Sequence, residues 1–209
     1  MTQSRLLDIA VREFGRQGLE GASTRGIAAA AGTAMSAITY HYGGKEGLYL
    51  AAADHIAAHM ADAMAPALHA EDGVGADDAG AARAAVQRLT ALLLDKMASD
   101  ETEDWSLFIM REQLTPGEAF ARLWAGMMGR MLNRMAELVA TATGAPMPQA
   151  RVTTLTLLGM AMSVRGSRAS VLRLCEIERL DDRTLAHVKA RVCANVDAIL
   201  DRMIAEELP

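Results

Sequence analysis

The chain has 209 residues, of which 51% are hydrophobic and 22% charged, and its formal net charge at pH 7 is −5. This apolar content excludes a globally disordered chain, and the length allows one or two domains with a sizeable core. No stretch approaches the roughly 20 uninterrupted apolar residues of a membrane span, so we expect a cytoplasmic protein without a membrane partner. Cys175 and Cys193 lack metal-ligand spacing and are expected to be free thiols.

Apolar residues recur at helical spacing along the chain, whereas no segment shows the period-two alternation of a β-strand. Ala, Leu, Met and Arg, which favour helix, are frequent. The sequence therefore predicts an all-α fold. Helices are predicted over residues 4–17, 24–30, 34–40, 45–63, 81–98, 104–113, 116–143, 148–164, 167–177 and 182–206.

Glycine and proline mark the breaks between these helices. Gly18 supplies a left-handed stop after the first helix. Pro66 is expected to end or kink the long helix that starts at Lys45. Residues 70–80 read AEDGVGADDAG, which is typical of a solvated linker. Thr115 as N-cap, followed by Pro116, predicts the start of the helix over 116–143.

The charge is distributed unevenly. Residues 1–45 carry more basic than acidic side chains, whereas the rest of the chain is acidic, and no acid occurs from Ala22 through Lys45. An acidic protein with one acid-free segment is a candidate for nucleic-acid binding through that segment.

The helices over 24–30 and 34–40 are short and are separated by a break that contains Gly32. This arrangement predicts a helix-turn-helix, whose second helix can lie in the major groove of DNA. The outward positions carry small or polar side chains, which can approach bases and phosphates closely. The residues expected to contact DNA are Arg25, Thr33, Ser36, Ala37, Thr39, Tyr40, His41 and Lys45.

The run TRGIAAAAGTAMSAITYHYGGKEGLYLAA, which follows FGRQGLEGAS, resembles the DNA-binding domain of the TetR (tetracycline-repressor) family of bacterial regulators. The resemblance covers about residues 4–55. It includes the opening F-x-x-x-G-x-x-x-x-S/T-x-x-x-I-A-x-x-A-G and the close K-E-x-L-Y. The wording ITYHYGGKEGLY is similar to a subgroup linked to control of efflux and detoxification genes.

The resemblance implies a DNA-binding domain over residues 1–45 and a helical effector-binding and dimerisation domain over residues 46–209. It implies a homodimer that places one recognition helix in each half-site of a palindromic operator in double-stranded DNA. It also implies release from DNA when a small molecule binds the C-terminal domain. We therefore expect a ligand-responsive repressor.

Aromatic and methionine side chains cluster between residues 105 and 131. A cavity lined by aromatic rings and adaptable methionines suits a largely apolar effector, and an ordinary core is the alternative interpretation. The residues expected to bind the effector are Trp105, Phe108, Arg111, Phe120, Trp124, Met127 and Met128.

The helices over 148–164 and 182–206 each carry an apolar face. Two such faces per subunit can form a four-helix dimer interface, and burial within one subunit is the alternative. The residues expected at this interface are Val152, Leu155, Gly159, Met162, Val188, Val192, Val196, Ile199 and Met203.

No assembled catalytic motif or nucleotide-binding loop occurs in the sequence, so we expect neither an enzyme nor a cofactor. His55 and His59 are four residues apart with Asp62 nearby, but no third metal ligand has support from the sequence. We therefore expect no metal. The alternative function is a helical lipid-binding or enzymatic bundle whose N-terminal segment does not bind DNA.

Overall fold

The structure, a computed structural model, describes residues 3–71, 73–75 and 77–207. Within these ranges it contains α-helices and no β-strand, which confirms the predicted all-α class. The helices are α1 (Gln3–Gly21), α2 (Thr24–Ala31), α3 (Met35–Tyr42), α4 (Lys45–Glu71), α5 (Ala79–Ala98), α6 (Glu103–Leu114), α7 (Glu118–Leu123), α8 (Gly129–Thr143), α9 (Met147–Gly166), α10 (Arg168–Leu174) and α11 (Asp182–Glu207). A 3-10 turn spans Asp100–Thr102, and a π-helical turn spans Trp124–Met128.

The chain divides into two compact units. The first contains the residues up to Ala65 together with Glu101–Arg130, and the second contains Pro66–Asp100 together with the residues from Met131 onward. The predicted functional boundary at residue 45 stays a prediction. In the described part of the chain, none of the helices combines the length and hydropathy that crossing a bilayer demands.

Three aromatic rings form the centre of the first unit. The ring of Tyr49 packs edge-on against Phe14, with centroids 4.9 Å apart, and stacks on Phe108 at 4.7 Å. α1 and α6 approach closely at Gly15, where a Cβ atom would lie 2.9 Å from the carbonyl oxygen of Asp104. Such a distance leaves no room for a larger residue, so the glycine permits the two helices to pack.

The ends of α2 follow the local sequence signals. Ser23 is the N-cap, and its hydroxyl accepts a 3.2 Å hydrogen bond from the backbone N–H of Gly26. Gly32 ends the helix with φ 68°, in the left-handed region that glycine adopts without steric cost. Gly18 has the predicted positive φ, 75°, and interrupts the regular geometry of α1, but the helix resumes after it and ends at Gly21 rather than at residue 17.

The second unit is built on α5, which packs against α9 and α11. Its core includes fully buried aliphatic side chains from these helices, namely Leu89, Leu94, Leu157, Val196 and Leu200. At the edge of this core the guanidinium of Arg83 donates hydrogen bonds to Asp197 and Asp201, and these contacts join α5 to α11.

Several predicted helix ends were wrong: α10, for example, ends at Leu174 rather than at residue 177, and the helix predicted over 116–143 is divided into α7, the π-helical turn and α8. α4 continues through Pro66 to Glu71. At its end the carboxylate of Glu71 is buried and receives two hydrogen bonds from Arg88. The helix predicted to start at Pro116 begins at Glu118 instead, with Gly117 as its N-cap. The capping acceptor comes from α6, since a carboxylate oxygen of Glu112 accepts the N–H of Phe120 at 2.9 Å.

Candidate nucleic-acid interface and ligand cavity

The predicted helix-turn-helix consists of α2, the turn at Gly32 and α3. Ile38 is the buried residue of α3, and Ile27, Ala28 and Ala31 are the buried residues of α2. The inward positions therefore agree with the sequence spacing. Most of the other residues of α3 are exposed, as the second helix must be if it is to enter a DNA groove.

Five of the eight residues expected to contact DNA are exposed, and three are half-buried. The exposed residues are Arg25, Ser36, Thr39, Tyr40 and His41, and the half-buried residues are Thr33, Ala37 and Lys45. Tyr40 is 86% exposed, and its ring meets the ring of His41 edge-on at 5.0 Å. A tyrosine hydroxyl in this position can donate a hydrogen bond to a phosphate oxygen.

Lys45 begins α4 directly after the glycine pair that ends α3. Its ammonium group donates a 2.8 Å hydrogen bond to the carbonyl oxygen of Glu20, near the end of α1. An ammonium group has three donors, so two N–H bonds are left for a phosphate. The contact also holds the ammonium group in place, which reduces the conformational entropy that the side chain loses when it binds a phosphate.

Sequence reasoning missed Met35, the first residue of α3. Its side chain is 49% exposed although it is apolar. Met35 precedes Thr39 by one helical turn, and the hydroxyl of Thr39 contacts its carbonyl oxygen at 3.5 Å. The i, i+4 spacing to a predicted contact residue is a signal that could have identified it. An apolar side chain at this place can contact a thymine methyl group.

A cavity of about 550 Å³ lies in the first unit, between α1, α4, α6 and α7. Its lining includes four carboxylates and one guanidinium, which belong to Glu20, Glu46, Glu112, Glu118 and Arg111. Inside it the hydroxyl of Tyr49 donates a 2.6 Å hydrogen bond to Glu112. Burial and the neighbouring Glu112 carboxylate raise the pKa of Tyr49 well above its ordinary value, so the phenol keeps its proton.

Sequence reasoning did not select Glu112 as a cavity residue. Its signal is an acidic residue one helical turn after Phe108 on α6, whose buried residues are Ser106, Phe108 and Glu112. A buried carboxylate must be hydrogen-bonded, and here both of its oxygens are. The interpretation of α6 as an aromatic lining overlooked this polar group.

The structure does not gather the seven predicted effector residues around this cavity. Arg111 lines it, whereas Phe108 is fully buried in the aromatic core. Met127 and Met128 are buried as well, and Trp124 is exposed beside Phe120 with ring centroids 6.2 Å apart. The ring of Trp105 stacks on His59 at 5.6 Å.

Arg111 connects the cavity to α1. Its guanidinium donates hydrogen bonds to the carbonyl oxygens of Gly15 at 3.4 Å and Arg16 at 3.1 Å. It also lies against Gly18, where a Cβ atom would be 3.1 Å from a guanidinium nitrogen. A change at the cavity wall can therefore reach the helix that packs against α2.

The residues predicted for the dimer interface differ in exposure. Val152, Leu155 and Gly159 are exposed on α9, and Met162, Val188 and Ile199 are half-buried. Val192, Val196 and Met203 are buried within the chain, so the prediction of a partner contact is corrected for these three. They occupy the face of α11 that packs against α5 and α9, which the periodicity of one helix cannot distinguish from an interface face.

Two sequence families match the chain. Residues 6–52 match "Bacterial regulatory proteins, tetR family", and residues 81–203 match "HTH-type transcriptional dual regulator CecR, C-terminal domain". The dual regulator CecR of Shigella flexneri is 29% identical over 213 residues, which cover 99% of this chain and 94% of that protein.

Solved structures share the fold. A TetR-like transcriptional regulator from Rhodococcus sp. RHA1 has a TM-score of 0.69 at 19% identity, with 95% of each chain covered. A transcriptional regulator from Saccharomonospora viridis, solved in complex with choline, has a TM-score of 0.60 at 19% identity, and the match covers 92% of this chain and 94% of the other.

Proposed function

Because the chain belongs to the TetR family of bacterial transcription regulators, we propose that it is a ligand-responsive repressor. In this proposal two copies bind a palindromic operator in double-stranded DNA, and a small effector releases them. Chromosomal DNA as the partner places the protein in the cytoplasm. The family and the relatives are transcription regulators, so the alternative of a helical lipid-binding or enzymatic bundle that does not bind DNA is set aside.

One observation carries the DNA-binding part of the proposal, namely the exposed polar surface of α3. Its inward side is closed by Ile38, while Tyr40 and His41 project from its last turn and Lys45 follows on α4. These groups supply phosphate contacts that hold the helix in the groove. The exposed residues Met35, Ser36 and Thr39 of the same helix are then left to read base edges.

Dimerisation supplies the second half of the DNA contact. A single helix of eight residues reads few base pairs, and a two-fold pair reads two half-sites at a fixed separation. The exposed aliphatic side chains of α9, Val152 and Leu155, flank this proposed interface, and Gly159 permits close helix approach. An isologous contact of this type is the usual arrangement of a homodimer.

The cavity between α1, α4, α6 and α7 is the proposed effector site. Its carboxylates favour a ligand with a basic group, and the aliphatic and aromatic lining accepts an apolar body. Choline, bound by the Saccharomonospora viridis protein of the same fold, is a small organic cation. A ligand here contacts Arg111, weakens its hold on the carbonyl oxygens of α1, and favours a state whose helices no longer match the operator.

DNA binding is tested by fluorescence anisotropy with duplexes from the region upstream of the chain's own coding sequence. Measurements at about 50 and 200 mM salt give the dependence of the dissociation constant on ionic strength. Tyr40→Ala is expected to weaken binding by about tenfold, the value of one hydrogen bond to a charged group. Lys45→Ala is expected to weaken it and to lower the salt slope by about one.

The exposed residues Leu174 and Arg191, which lie outside the helix-turn-helix, provide matched controls. Leu174→Ala and Arg191→Ala should leave both affinity and salt slope unchanged. Equal affinity of all four variants would refute the roles of Tyr40 and Lys45. A wild-type chain that binds no duplex at either salt concentration would refute the proposed function.

The effector is sought by thermal shift with a panel of lipophilic and cationic compounds. A compound that binds only the folded chain raises its Tm, and the proposal requires that it also weakens operator binding by about 5–150-fold. Glu46→Gln removes one exposed carboxylate of the cavity lining, so it should selectively reduce the response to cations. A variant that loses its response to neutral compounds but keeps its response to cations would contradict the assignment of this cavity as the effector site.

A further inference from the structure

Asp8 on α1 and two histidines on α4, His55 and His59, converge at one point in the first unit. One oxygen of the Asp8 carboxylate lies 2.7 Å from Nε2 of His55, and Nε2 of His59 lies 3.0 Å from the same nitrogen. All three potential ligand atoms lie within 4.8 Å of one another. Asp8 lies on α1, 47 residues before His55 in the chain, so the spacing of His55 and His59 on α4 could not identify it.

Hydrogen bonding alone cannot give both of these contacts a straight donor–acceptor geometry. Nε2 of His55 faces both an oxygen and a nitrogen, but an imidazole nitrogen carries at most one proton and can direct it along one line. If that proton points to Asp8, Nε2 of His59 has no straight hydrogen bond to His55. If His59 donates to His55 instead, the carboxylate of Asp8 faces a lone pair. One of the two contacts is always unfavourable.

We propose that Asp8, His55 and His59 bind a divalent first-row transition metal ion, with Zn²⁺ as the reference ion. Two imidazole nitrogens and one carboxylate oxygen are a usual three-ligand set for zinc, and they disfavour Mg²⁺ and Ca²⁺, which prefer oxygen ligands. Ligand atoms about 2.1 Å from a tetrahedral ion lie roughly 3.4 Å apart. Small side-chain rotations open the observed contacts to that separation.

The two histidines pack against neighbouring rings, whereas Asp8 is open to solvent. The side chain of His55 is 13% exposed and that of Asp8 60% exposed, so the metal can enter from the Asp8 side. The ring of Trp105 stacks on His59, and the rings of His55 and His59 meet edge-on at 4.3 Å. A fourth position is available to water. The bound ion would fasten α1 to α4 within the first unit.

The experiment is Zn²⁺ titration of the full chain, stripped with chelator, by calorimetry with metal analysis after dialysis. One ion per chain is expected, with a rise in Tm. His55→Gln, His59→Gln and Asp8→Asn should each weaken Zn²⁺ binding at least about 100-fold, because removal of a direct ligand exceeds the loss caused by an outer partner. His69→Gln and His187→Gln, which change exposed histidines, are the controls and should bind like the wild type.

Trp105 supplies a second readout that does not depend on stability. In Trp124→Phe, Trp105 is the remaining tryptophan, and a paramagnetic ion such as Co²⁺ should quench its fluorescence with saturation at one equivalent. In Trp105→Phe, the same titration should quench the fluorescence of Trp124 less, because Trp124 stacks on Phe120 rather than on a proposed ligand. Absence of saturable Zn²⁺ binding, or binding that survives in the His55→Gln/His59→Gln double variant, would overturn the proposal.

Discussion

The hydroxyl of Tyr49 on α4 donates a 2.6 Å hydrogen bond to the carboxylate of Glu112 on α6, 63 residues later in the chain. The second oxygen of the same carboxylate accepts the backbone N–H of Phe120 at the start of α7. Glu112 is buried, so neither partner can be replaced by bulk water without rearrangement. One carboxylate therefore joins three helices at the wall of the proposed effector cavity.

Tyr49→Phe should destabilise the fold by about 1–3 kcal/mol, since it leaves a buried carboxylate oxygen without its donor. The measurement is urea denaturation followed by circular dichroism. Tyr40→Phe is the matched control, because Tyr40 is largely exposed, and its effect should stay within about 0.5 kcal/mol. Equal effects of the two substitutions would show that the Tyr49 hydrogen bond contributes no net stability.

The same pair predicts a loss of stability at alkaline pH. The pKa of Tyr49 is raised in the folded chain by burial and by Glu112, whereas tyrosine in the unfolded chain ionises near its ordinary value of about 10. The folded state then holds more protons than the unfolded state above that pH, so the free energy of unfolding falls as pH rises. Denaturation between about pH 9 and 11 should show a steeper decline for the wild type than for Tyr49→Phe; parallel curves would contradict the assignment.

Arg88 pairs with a carboxylate that is only 2% exposed, that of Glu71, through two hydrogen bonds of 2.8 and 2.6 Å. Arg88→Met should cost about 2–3 kcal/mol, somewhat less than for a fully buried pair because the arginine itself is partly solvated. Arg202→Met breaks an exposed ion pair with Glu206 and should cost less than about 1 kcal/mol. Thermal unfolding measures the effect of each variant. A smaller Tm decrease for Arg88→Met than for Arg202→Met would contradict the ranking.

Leu155→Glu should convert the proposed homodimer to a monomer. Its side chain is 61% exposed in the single chain, so the substitution does not disturb the core, but it places a charge in the proposed interface. Analytical ultracentrifugation measures the mass, and Leu174→Glu, at another exposed leucine, is the control. A Leu155→Glu chain that stays dimeric would move the interface away from this face of α9.

Local signals determined much of what could be predicted from the sequence. Ser23 and Gly32 mark the two ends of α2, because a side-chain cap and a left-handed glycine act on the backbone within a few residues. The inward position of Ile38 follows from the 3.6-residue period. These features, with the family motifs around them, were sufficient to predict the helix-turn-helix.

Tertiary packing decided the rest. Glu112 is a buried partner of Tyr49, Val196 is a core residue rather than an interface residue, and Asp8 meets His55, because each side chain finds its partners far along the chain. A helical period reports which residues share a face, but it cannot report what covers that face. The cavity and the candidate metal ligands therefore became visible only when the helices were placed against one another.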